Sequence, residues 1–412
     1  MNPRSTGLRA ALAACAAAAL LCLAAPAAPA VEPIAEFNGA NGPEFEGPCG
    51  LAVDGYSNLY LANHYKSSIN LYRPALGAPF RILGVDPASG PCGLAVDSFG
   101  RLYVNGFHRN VVRLTPSFFP PGPSVTYGPP AVIDSADSTG VAVDPASGRV
   151  YVDDRTYISA YESSGSPVEI AGKPLHLGEG TLANGYGLAF ASPPAPNAGR
   201  IYVADAAAGV IKAYDPALDT VNPVQVIDGH ELPGGGFVSL RDSALAVDRA
   251  NGDLYVADLL QPNGYERPEA AIYAFDAGGA YVGRLRYNVI DARPPGLAID
   301  NSNSPNQGRI YVTSGNTDGA LLYVYPAGAA DTGGAQCAPG GPCPTSSTPP
   351  VAPPPLSSRA IEAPSRDALA GDTSPAPAFG PWRSSRRGRG CRPSATRKHR
   401  CRLHRSGHRA RQ

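Results

Sequence analysis

The sequence predicts an all-β fold: a six-bladed β-propeller of four-stranded blades, closed by a strand from the N-terminal side and followed by a disordered tail. Three observations predict it. A unit of the form small–apolar–Ala–apolar–Asp, turn, apolar–Tyr–apolar occurs six times, anchored at Gly50, Gly93, Gly140, Gly187, Ala244 and Gly296. Spacings of 43 to 57 residues suit four short strands per unit. Gly 47 and Pro 44, with only 17% charged residues, argue against coiled coils and helical bundles and for short strands joined by turns.

Residues 1–30 read as a secretion signal. Arg4 and Arg9 precede the apolar stretch Ala10–Leu23, and Ala28-Pro29-Ala30 fits a small-residue cleavage site, with Ala25-Pro26-Ala27 nearly as good. Leu12-Ala13-Ala14-Cys15 competes as a lipoprotein box, although too few apolar residues precede Cys15. The stretch is short for a membrane span, which needs about 20 residues. A secreted or envelope-associated chain is expected.

Residues 31–326 form the propeller. In each repeat the GLAVD-like segment is strand one, and the following NLYLA- or RIYVA-like segment is strand two. Its tyrosines fall at equivalent places: Tyr60, Tyr103, Tyr151, Tyr202, Tyr255 and Tyr311. Segments such as INLY, VIKAY and LLYVY supply strand three. Outer strands are expected at PFRILG (from Pro79), PSVTYG (Pro123), PVEIAG (Pro167), PVQVIDG (Pro223) and AYVGRL (Ala280). No outer strand follows LLYVY in the sixth repeat. Pro33–Gly39 carries that pattern and is expected to pair with Leu321–Tyr325, leaving no open sheet edge.

From 327 to 382 the chain is rich in Pro, Ala, Gly and Ser and reads as a disordered linker, and residues 383–412 form an Arg-rich tail. Equal totals of 34 Lys+Arg and 34 Asp+Glu conceal this division. Residues 31–326 hold 30 acids against 18 bases, whereas the last thirty residues hold twelve bases and no acid. Such a tail would bind an anionic envelope polymer through salt-sensitive contacts. Nucleic acid is not an expected partner, no transmembrane segment is expected in the mature chain, and a monomer is expected.

The six GLAVD…G-x-apolar-Tyr-Val-Ala-Asp units resemble the NHL-repeat family of six-bladed propellers, over roughly 70% of the chain. The family's downstream Asn-x-Arg is poor here, and the fourth repeat has Ala191 where the others have Asp. The resemblance implies the fold but not a reaction, because such propellers serve as scaffolds, binders, lyases and lactonases.

Strand alternation places the start of strand one and the end of strand two on one face, at the channel mouth. Thr139, Tyr186, Ser243, His64, His108, Asp154, Arg155, Asp205 and Asp258 are the candidate ligand-binding residues there, with Cys49, Cys92, Asn63, Phe107 and Pro295 beside them. The repeated Asp54, Asp97, Asp144, Asp248 and Asp300 are read as turn formers on the opposite face. Asp300-Asn301-Ser302-Asn303 is read as a polar turn in preference to a calcium loop. No metal and no cofactor is expected, since the six positions before strand one offer no carboxylate or imidazole.

Disulfide candidates are Cys49 with Cys92, Cys337 with Cys343, and Cys391 with Cys401. For Cys49 and Cys92, a bond across neighbouring blades stands beside separate buried thiols and a soft-metal pair. Serine-nucleophile motifs and phosphate-binding loops are absent. The expected function is an exported binding or scaffold module with a protein or glycan ligand at the propeller face. The alternative is a propeller lyase or lactonase working at the channel mouth.

Overall fold

A computed structural model of the chain describes residues 31–39, 44–85, 90–232, 234–259, 270–285, 295–314 and 320–329. These residues build six four-stranded antiparallel sheets in a ring, with a small separate hairpin. Strands are given in order from the axis outward. Blade one is Pro48–Val53, Leu59–Asn63, Ser68–Tyr72 and Arg81–Gly84; blade two is Pro91–Val96, Leu102–Gly106, Arg109–Leu114 and Ala131–Ser138. Blade three is Gly140–Val143, Val150–Asp153, Ile158–Tyr161 and His176–Leu177; blade four is Gly185–Phe190, Ile201–Asp205, Val210–Tyr214 and Gln225–Ile227. Blade five is Leu245–Val247, Leu254–Leu259, Ala270–Phe275 and Tyr281–Leu285; blade six is Leu297–Ile299, Ile310–Ser314, Leu321–Tyr325 and Ala35–Phe37. The last strand of blade six is the expected N-terminal one, in register Ala35 to Val324 and Phe37 to Leu322.

Among the described residues the core is divided. Six apolar layers, one between each pair of neighbouring blades, hold the ring together. Each blade presents both faces to a neighbour, so second strands such as LYLAN are buried at every position. The equivalent tyrosines are enclosed between blades, at 3% exposure or less. At the closed end of the blades Asp54 accepts the Tyr56 and Asn58 amides, and Asp97 accepts those of Phe99 and Arg101. The hydroxyls of Tyr60 and Tyr103 donate to the same two carboxylates. Asp144, Asp248 and Asp300 accept turn amides in the same way. Blade four has Ala191 at this place, and Asn197 substitutes by donating to the Tyr202 hydroxyl and to the Gly252 carbonyl at 2.8 Å each.

Two outer strands differ from expectation. In blade two the edge strand is Ala131–Ser138, not PSVTYG. Pro120, Pro121, Pro129 and Pro130 flank PSVTYG, which itself opens with Pro123, and proline has no amide to donate to a ladder. That segment folds back on Thr115–Ser117 instead. In blade three PVEIAG does not supply the edge. Ala171 and Gly172, with φ of 51° and 74°, turn Glu169–Ile170 onto Lys173–Pro174, and His176–Leu177 takes the edge. The signal, the linker from 330 onward and the tail, with Cys337, Cys343, Cys391 and Cys401, lie outside the described residues, whereas Ala329, at the expected linker's start, is buried in the layer between blades five and six.

Candidate functional site at the channel mouth

Six residues at the start of strand one or just before it line a common axial cavity: Cys49, Cys92, Thr139, Tyr186, Ser243 and Pro295. Its volume is about 80 Å³, room for a few waters or an ion. Ligand pockets for drug-sized molecules run to about 300–1,000 Å³, so a larger ligand must sit across the mouth. Glycine makes the channel this narrow. A Cβ on Gly50 would lie 1.6 Å from the Cys92 carbonyl oxygen, and one on Gly140 would lie 2.8 Å from the Gly187 backbone.

That approach brings the Cα atoms of Cys49 and Cys92 to 5.0 Å, and the two cysteines form a disulfide between blades one and two. The distance is inside the range a disulfide spans. Beside it His64 has Nδ1 3.1 Å from the Gly90 carbonyl oxygen. A ring nitrogen of His64 and the two sulfurs lie within 4.8 Å of one another, which makes this the metal-ligating cluster among the described residues.

Across the channel, blades two to four assemble a second group. The Arg155 guanidinium lies over the Tyr186 ring, its carbon 4.5 Å from the centroid. Its Nε and Nη2 donate to Asn184 Oδ1, and Nη1 donates to His108 Nδ1 at 3.0 Å. His108 Nδ1 is also 3.3 Å from Asp137 Oδ1. One nitrogen cannot accept from Arg155 and donate to Asp137 together, so the two contacts exclude one another, according to which ring nitrogen carries the proton. Asn184, His108 and Tyr186 hold the guanidinium without a carboxylate hydrogen bond, although its charge also acts on the buried Asp153.

Below this group Asp153 is fully buried. It accepts the Thr139 hydroxyl and the Arg155 amide. Burial pushes its carboxyl up to about 6, against the lowering effect of those two bonds. Thr139 lines the cavity, so Asp153 communicates with the channel through one hydroxyl. Asp154 faces the other way, into the layer between blades two and three. There burial pushes it up to about 7, with Asp134 and Asp153 adding repulsion and the Ser159 hydroxyl opposing.

Asp205 and Asp258 have other work. Asp205 accepts the Ala183, Asn184 and Ala208 amides and pairs with Lys212 at 2.7 Å. Burial alone would raise its carboxyl, but the Lys212 bond and the backbone donors hold it below the usual range. Asp258 accepts the Val238 and Ser239 amides. Asn63 is equivalent in blade one, accepting the Glu46 amide at 2.7 Å. These side chains anchor the loops that lead into strand one. Ser243 similarly donates its hydroxyl to the Ala257 carbonyl.

Asp153, Asn184 and Asp137 are the site residues that sequence reasoning missed. A signal for the first existed: blade three alone carries two acids in a row, Asp153-Asp154, at the end of strand two.

No protein-family model matches the chain, and no curated protein matches its sequence. Solved structures match in fold. A luciferin-regenerating enzyme aligns at 16% identity and TM-score 0.49, covering 71% of this chain and 96% of that one. A gluconolactonase from Xanthomonas campestris aligns at 16% identity and TM-score 0.44, covering 74% and 99%. Virginiamycin B lyase from Staphylococcus aureus aligns at 13% identity and TM-score 0.40, covering 71% and 88%. At these identities the likeness concerns the propeller architecture.

Proposed function

We propose that the channel mouth is an active site of the lyase or lactonase kind, acting on a small substrate that carries a carboxylate or ester. The observation that carries this reading is the Thr139 hydroxyl on the channel wall donating to Asp153, a buried carboxylate whose proton affinity sits close to neutrality. At neutral pH Asp153 is mostly ionised and can take the proton that Thr139 gives up, as Thr139 attacks a carbonyl or relays a proton from the substrate. The Arg155 guanidinium, fixed by Asn184 and Tyr186, faces the negative charge that develops on substrate oxygen.

The second reading is an exported binding or scaffold module that holds a protein or glycan at the same face, with an anionic envelope polymer on residues 383–412. The small cavity and the structural use of Asp205, Asp258 and Ser243 favour it. Kinship with the NHL-repeat propellers rests on the six GLAVD motifs and is part of the same proposal.

A panel of lactones, esters and β-substituted carboxylates separates the two readings. On any substrate turned over, Thr139→Val and Asp153→Asn are expected to lower kcat/KM by about 10²–10⁴-fold while the fold is retained by circular dichroism. Because the base must be ionised, the wild-type rate should rise as pH rises through about 6. No turnover across the panel would leave the binding module standing, and a Thr139→Val variant as active as wild type would take Thr139 out of the chemistry.

A further inference from the structure

The geometry points to a second, redox-gated site: once their disulfide is reduced, Cys49 and Cys92 join His64 in binding one borderline-soft divalent cation of the zinc class. This site uses other residues than the catalytic one, which lies across the same channel. Two thiolates and an imidazole are the donors such a cation takes, usually with a fourth position for water or substrate.

Three features support the assignment. The three donor atoms already converge within 4.8 Å, and the Cα atoms of the cysteines are 5.0 Å apart, so binding needs side-chain rotation and no blade movement. His64 is oriented as a ligand should be. Its Nδ1–H donates to the Gly90 carbonyl, leaving the Nε2 lone pair for the metal, the usual outer hydrogen bond of a metal-bound imidazole. Gly90 makes room for the ring: its φ is +51°, and a Cβ there would lie 2.8 Å from His64 Cε1. Finally, both cysteines are buried yet line the axial cavity of about 80 Å³, which supplies the side from which a fourth ligand comes.

The oxidised pair cannot serve, because a disulfide sulfur carries no thiolate charge. Opening the gate takes two electrons and two protons. A dithiol reductant supplies both and becomes a disulfide itself, while the Cys49–Cys92 bond breaks to two thiols. Cys49 Sγ lies 3.4 Å from the Pro91 carbonyl oxygen, a waiting acceptor for its thiol hydrogen. Metal entry then releases the two thiol protons, so affinity should climb with pH.

Cobalt(II) is the probe, in a full-length chain whose other six cysteines, Cys15, Cys22, Cys337, Cys343, Cys391 and Cys401, are changed to Ser. After reduction with a phosphine, which becomes its oxide and leaves no competing thiol, one cobalt per chain is expected. Thiolate-to-cobalt charge transfer and the visible bands of tetrahedral cobalt should appear together, and zinc should displace them. The oxidised chain should show neither. Loss of an outer hydrogen bond alone weakens metal binding about 10–100-fold, so His64→Ala should weaken cobalt by roughly a hundredfold or more. Cys92→Ser should abolish the charge-transfer band, and His230→Ala should change nothing. A reduced chain without the thiolate band overturns the assignment, and so does a band of unaltered affinity in a folded His64→Ala variant.

Discussion

Replacing Gly50 by Ala should lower stability by about 3 kcal/mol or more, beyond the usual 1–3 kcal/mol of an overpacked core. The added methyl would fall 1.6 Å from the Cys92 carbonyl oxygen and 3.2 Å from Ala62 Cβ. Its obstacle is backbone, with no flexible side chain to move aside. The disulfide one residue away ties the two inner strands together and blocks the simplest relief, a separation of blades one and two. For a domain of this size the loss corresponds to a fall of roughly 5 °C or more in Tm. Gly55→Ala is the matched control, since nothing lies within 4 Å of the place its methyl would take, and it should shift Tm by a degree or two at most. Equal melting of the two variants by calorimetry would show that the inner ring is looser than these distances require.

Removing residues 31–39 should be more damaging still. It takes away the outer strand of blade six, including the Ile34 amide bond to Val324 and the pairing of Ala35, Glu36 and Phe37 with Val324, Tyr323 and Leu322. It also breaks an aromatic group between blades six and one, where the Phe37 ring meets Phe45 at 5.7 Å and Tyr72 at 5.5 Å. The edge of Leu321–Tyr325 would then be open, and an open apolar edge pairs with another copy. The truncated chain should melt well below the full one and associate with rising concentration in size-exclusion chromatography. A peptide of residues 31–39 added in trans should reverse both effects. A truncated chain that stays monomeric with unchanged Tm would mean that the ring closes by side-chain packing alone.

The six inner strand pairs and the closing strand were legible because each carries a full period of small, apolar and tyrosine positions under the packing demands of two neighbouring blades. The outer strands of blades two and three were not. An edge strand has one neighbour and half-exposed faces, so its pattern is weak, and PSVTYG matched the template while its flanking prolines decided otherwise. At the mouth, the residues of the inner ring were legible from position alone. Their employment was not: Asp205 and Asp258 look like free carboxylates in sequence, and only the fold shows loop amides closing on them. Asn184 was invisible for the converse reason. It lies in a loop, and Arg155, the partner that gives it meaning, is 29 residues away.

The buried tyrosines also set an alkaline limit on the molecule. Burial pushes the hydroxyls of Tyr103, Tyr151 and Tyr311 up to about 12, and burial with the Asp54 charge raises Tyr60 as well. An exposed phenol ionises near 10, so the stability these groups lend as neutral phenols is whole below that pH. It drains away as pH climbs from 10 through 12. The phenols occupy the same place in their blades, one to each layer between neighbouring blades, so each that ionises loosens the contact of its own blade with the next. The phenolate absorbance of these buried groups should therefore rise in step with the loss of the β-sheet circular dichroism.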